Sequence, residues 1–107
     1  MADLSHKFAA VLVVDTQTDI TGGGCPAGAA GAYTLNIVND TDGDASLTAV
    51  YLTTGGAAAA ADKIHPAFAI EARGWAVIQP IKLGEGWKLF VESDTVVSVN
   101  LIGRKEG

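Results

Sequence analysis

Between residues 33 and 38 the chain sets Tyr33, Leu35 and Ile37 on one side of an extended backbone and Thr34, Asn36 and Val38 on the other. A period of two belongs to a strand with one face in a core, so this stretch restricts the chain to folds that pack a sheet. The loop Asp40 to Asp44 follows, rich in residues that turn a chain through local hydrogen bonds or positive φ. Beyond it, Leu47, Ala49 and Tyr51 share one face of a second extended segment while Val50 and Leu52 take the other. Two such runs around a short polar loop read as a β-hairpin. Apolar residues on both faces of the second run imply either cover on both sides or an outer face that meets another subunit. The expectation is a subunit contact, with Val50, Leu52 and Phe90 as interface residues.

The remaining segments extend the pattern. Phe8 to Val14 is a first strand, too short to span a membrane and without a basic leader or processing site, so the protein is expected to be made inside the cell. Three further strands are expected over 75–83, 87–93 and 96–103, joined by Gly84-Glu85-Gly86 and Ser93-Asp94-Thr95. Pro80 places the first of them at a sheet edge or on a bulge. The alanine run near residues 56–63 allows at most one short helix, since Gly55 and Gly56 precede it and Pro66 soon follows. Pro66 also biases His65 towards an extended backbone. The expected architecture is all-β, an antiparallel β-sandwich of jelly-roll or immunoglobulin-like type. With 107 residues it suits one domain, with a polar N-terminal arm over about 1–7 and a short tail over about 104–107.

The net charge of -5 arises from 12 acidic against 7 basic residues. Asp15, Asp19, Asp40, Asp42 and Asp44 follow one another with no Lys or Arg between them. A phosphate backbone requires a basic stripe, so nucleic acid is not an expected partner. Cys25 is the single cysteine, so an intrachain disulfide is excluded and stability must come from the core or from neighbouring subunits.

Each candidate for chemistry has a simpler structural explanation. An EF-hand loop starting at Asp40 would need Glu at its twelfth position, which is Tyr51, and helices on both sides. Thr21 to Gly28 has the glycine content of a phosphate loop but neither its Lys nor a following helix. Cys25 has no assignable His/acid pair: His6 lies in the N-terminal arm and His65 precedes a proline. One cysteine and two histidines are too dispersed for zinc. Asn39-Asp40-Thr41 matches an N-glycosylation pattern, without a secretion signal to give it meaning. Trp75, Trp87, Phe68, Phe90 and Tyr51 could line a carbohydrate site, although aromatics at strand spacing more often serve core or subunit contact. No catalytic, cofactor-binding or metal-binding residue is assigned, and no cofactor or membrane partner is expected.

The order of segments carries a resemblance. A lead strand precedes "CPAGAAGAYTLNIVNDTDGDASLTAVYLTTGG", then "HPAFAIEARGWAVIQPIKLGEGWKLFVESDTVVSVNLIG". A Gly/Pro-rich turn, a polar-tipped pair of strands, a small-residue loop and a glycine corner before a valine-rich finish resemble the small β-sandwich structural proteins of tailed bacteriophages. That group includes capsid decoration and neck or tail accessory proteins, and the likeness spans about residues 7–104. It implies a non-enzymatic virion protein, made in the host cytoplasm, that stabilises the shell as a decoration or cement protein. Its implied partners are copies of itself, with a trimer favoured for a threefold position, and the major capsid protein or other virion proteins. A neck or tail accessory would instead form a six- or twelvefold ring. A carbohydrate- or receptor-binding β-module would expose Trp75 or Trp87, and a small enzyme would need a reactive Cys25.

Overall fold

Tyr33, Leu35 and Ile37 point into the space between two sheets and are almost fully buried, which fixes the face of their strand that the alternation predicts. The computed structural model describes residues 5–12 and 14–105. Nine strands run in order as β1 (Ser5–Val11), β2 (Thr18–Asp19), β3 (Gly31–Val38), β4 (Ala45–Thr53), β5 (Lys63–His65), β6 (Phe68–Ile70), β7 (Trp75–Leu83), β8 (Lys88–Ser93) and β9 (Ser98–Lys105). One sheet has the order β1-β9-β3-β7; the other has β2-β8-β4-β5, with β6 also paired to β4.

The pairing is that of a folded ribbon. β1 pairs with β9, β2 with β8, β3 with β7, and β4 with β5 and β6, all antiparallel. Counting β5 and β6 as one interrupted strand gives eight strands in a jelly roll, one of the two sandwich types expected. The core lies between the sheets, where Phe8, Leu35, Ile37, Val99 and Leu101 meet Leu47, Val50, Leu89 and Val91.

Several expectations need correction. β3 and β4 do not form a hairpin: they lie in different sheets, and Asp40 to Asp44 turns the corner between them. The first strand is Ser5–Val11 rather than 8–14, so the N-terminal arm expected over 1–7 is already strand from Ser5. β9 continues to Lys105, into the expected tail. The outer parts of arm and tail, 1–4 and 106–107, lie outside the described residues. The alanine run supplies only a 3₁₀ turn, Ala60–Asp62, because the chain enters β5 at Lys63.

Val50 and Leu52 are inward, not on an outer face. From Leu47 to Ala49 the β4 chain advances two residues while β8 advances one, from Ser93 to Glu92, so Thr48 is the extra residue of a bulge. The bulge reverses the parity of the strand. Val50 then pairs with Val91 and Leu52 with Leu89; Val50 is 0% exposed in the core and Leu52 packs against it. Ala49 and Tyr51 take the opposite side, where they too are covered, at 0% and 8% exposed, so the strand is buried on both faces.

Candidate interaction face

The outer surface of the sheet formed by β1, β9, β3 and β7 follows from its registers. Val11, Ser98, Val38 and Trp75 form one cross-strand row, and Ala9, Asn100, Asn36 and Val77 the next. A third contains Lys7, Ile102 and Thr34, whose hydroxyl donates to Gln79 Oε1 at 2.9 Å. Trp75 is 74% exposed, Val11 61%, Val77 and Ile102 47% each, and Val38 40%. These are five of the eight large exposed apolar side chains among the described residues. In the centre, Asn36 Nδ2 donates to Asn100 Oδ1 at 3.0 Å. No Asp or Glu occupies any of these rows.

The opposite outer surface differs. Asp19, Lys88 and Glu92 occupy it, together with half-buried Phe90, which sits directly across from the buried Tyr51. Lys63 places its ammonium 5.9 Å above the Tyr51 ring. Phe90, expected at an interface, is therefore half-buried on a charged face, and the expected interface trio is divided between this face and the core. The five aromatics considered for a carbohydrate site are likewise separated. Trp75 lies outside one sheet and Tyr51 and Phe90 outside the other, while Trp87 and Phe68 pack against the core.

The polar loops use their own chemistry internally. Arg73 spans the β3–β4 corner, donating to Asp40 Oδ1 at 2.6 Å and Asp42 Oδ1 at 2.7 Å. Its φ of 59° is in the left-handed region, and its amide donates to the Thr41 carbonyl at 3.2 Å. Asn39 is 0% exposed; its amide nitrogen lies 2.9 Å from the Gly43 carbonyl and 3.1 Å from those of Ile70 and Glu71, while its Oδ1 accepts from Thr41. A side chain so enclosed cannot accept a glycan in the folded protein. In the glycine loop, the Asp19 carboxylate accepts from the amides of Thr21 and Gly23, each at 2.9 Å, so the amides that could cradle a phosphate already hold an anion.

Cys25 is buried in the core cluster, between two backbone bonds of 2.7 Å to Trp87 and Gly86. Burial, reinforced by the charge of Glu85, raises its thiol above the ordinary value. His65 lies at β5, its Nδ1 2.8 Å from the Pro66 carbonyl and its ring edge-on to Phe68. Among the described residues no group of three or more His, Cys, Asp and Glu side chains converges as metal ligands. No described helix is long and apolar enough to cross a membrane.

Trp75 is identifiable in the sequence as an aromatic candidate, whereas Val38, Val77, Val11 and Ile102 join the face only through strand register. The available signal was that β3 and β9 each carry an apolar residue on the side opposite their core residues, Val38 and Ile102. No protein-family model, curated protein or solved structure matches this chain.

Proposed function

We propose that this chain is a non-enzymatic structural protein of a tailed-phage virion, most specifically a capsid decoration protein that acts through subunit interfaces. One observation carries the reading: a sheet face rich in exposed apolar side chains and free of carboxylates, on a protein with a net charge of -5. Exposed apolar side chains gathered on one face, with Val38, Trp75 and Val77 adjoining, are the kind of surface that marks an interaction site. Jelly rolls serve as viral capsid subunits and as lectins alike, so surface chemistry must decide between such roles. The virion setting rests on the resemblance in segment order.

The test is composition of the particle. Virions banded on a density gradient from a lysate that produces this chain should contain it in a fixed ratio to the shell protein. Deleting it should lower the temperature at which the particles release DNA. A chain that stays at the top of the gradient overturns the virion reading.

A second reading has a specific observation in its favour. Exposed Trp75 borders a shallow hollow of about 460 Å³ lined by Glu71, Ala72, Arg73 and Gly74, which combines a stacking ring with charged hydrogen-bonding groups. Carbohydrate binding there predicts a fluorescence change on adding oligosaccharides that is lost in Trp75→Ala.

A further inference from the structure

We infer that the outer face of the β1-β9-β3-β7 sheet docks a second copy of this chain, face to face about a two-fold axis. The inference deepens the assembly reading and rests on it, naming the partner and the symmetry.

Charge selects the occupant. Two copies each with a net charge of -5 repel, and the least costly surface for contact is one without carboxylates. The outer face of this sheet has Lys7 and Lys82 at its margins and no acid in its rows. A head-to-tail contact would need a different apolar surface to receive it. The other sheet presents Asp19, Lys88 and Glu92, which would have to be stripped of water against valine and tryptophan. The apolar face is therefore best matched by its own symmetry mate, an isologous arrangement. This replaces the trimer implied by the resemblance with a two-fold pair.

Area permits it. Four strands about 4.8 Å apart, taken over the full eight-residue length of β3 and β9 at about 3.4 Å per residue, give a face of roughly 500 Å² in plan. Two such faces bury at least about 1,000 Å², the lower bound for a specific interface, before side-chain relief is added. Sheets stacked this way sit about 10 Å apart, with Trp75, Val77 and Val38 interdigitating across the gap. Part of the polar hydrogen bonding is satisfied within one copy, Asn36 Nδ2 donating to Asn100 Oδ1 and the Thr34 hydroxyl to Gln79 Oε1, which reduces the cost of drying these four atoms.

The experiment is light scattering and sedimentation equilibrium from about 5 to 500 μM, on the wild type, Trp75→Glu, Val77→Glu and the opposite-face control Lys88→Glu. The wild type and Lys88→Glu should reach twice the chain mass. The two β7 variants should weaken the pair by about 30-fold or more, as expected when a carboxylate replaces a large apolar contact, with unchanged circular dichroism. If either β7 variant unfolds, Asn36→Lys, which charges the same face from β3, must give the same weakening. A monomer throughout, a trimer, or a dimer indifferent to these face variants overturns the inference, as does an oligosaccharide-bound monomer. A monomer that nevertheless bands with virions defeats self-docking alone, whereas a dimer absent from virions defeats the virion reading alone.

Discussion

Gly103 lies directly opposite Tyr33 in the β9–β3 ladder, and a Cβ at position 103 would stand 2.2 Å from the Ala32 carbonyl oxygen and 2.6 Å from Tyr33 Cα. The Tyr33 ring is also constrained: its centroid is 5.6 Å from that of Phe8, and its hydroxyl donates to the Ala29 carbonyl at 2.5 Å. Backbone atoms cannot yield as a flexible side chain can. Gly103→Ala should therefore destabilise the protein by about 2–3 kcal/mol, the upper range for overpacking. Urea denaturation checks this through a lower midpoint at unchanged slope.

Val50 and Trp75 should respond oppositely to the same change. Val50→Asp puts a carboxylate into the core opposite Val91 and should abolish the folded β-signal in circular dichroism. Trp75→Asp alters a side chain that is 74% exposed and should leave the spectrum unchanged. A folded Val50→Asp protein would contradict the bulge at Thr48.

Asn39 holds the corner between the sheets. Asn39→Ala removes the donor shared by the Gly43, Ile70 and Glu71 carbonyls and should cost about 2–3 kcal/mol, because buried acceptors lose their partner. Amide hydrogen exchange should accelerate first at Asn39 and Arg73, whose amides bond to Gly74 and Thr41 across this corner.

Asp94 gives an acid-side signature. Its carboxylate accepts from the Ser46 amide at 2.8 Å and the Thr95 hydroxyl at 2.9 Å, which hold its pKa below the ordinary 3.8. A carboxyl depressed in the folded state stabilises the fold above its unfolded pKa, and that contribution disappears as pH falls through the folded value. The stability gap between wild type and Asp94→Asn should be full at neutral pH and close below about pH 3.8. Paired urea titrations across that range measure it.

Cys25 should react with a disulfide reagent only when the protein opens. Burial keeps the thiol protonated above its ordinary 9.0 and shields it in the core. Native protein should label orders of magnitude more slowly than protein in denaturant; rapid native labelling at neutral pH would favour the enzyme alternative.

The legibility of the sequence varied with length and regularity. β3 was readable because Tyr33, Leu35 and Ile37 face the core and Thr34 and Asn36 do not. β4 was not, since one extra residue at Thr48 reverses its parity and moves Val50 from the predicted outer face to the centre. β2, β5 and β6 have 2, 3 and 3 residues, too few to show a period. The false hairpin has a similar origin: a short polar loop can reverse a chain within a sheet or carry it between sheets. The difference lies in distant groups, Ile70 and Glu71 reaching Asn39 and Arg73 reaching Asp40 and Asp42. On the candidate face, Trp75 stands out in the sequence as an aromatic, but the face as a unit exists only through the register of β1, β9, β3 and β7.

The ribbon-like pairing of β1 with β9 also sets a schedule for synthesis. β9 stands between β1 and β3 in its sheet, so both strands wait, with one edge unmatched, until the ninth strand has left the ribosome. The sheet with the proposed docking face cannot close early. Self-docking through that face should therefore wait until β9 has emerged and paired with β1 and β3.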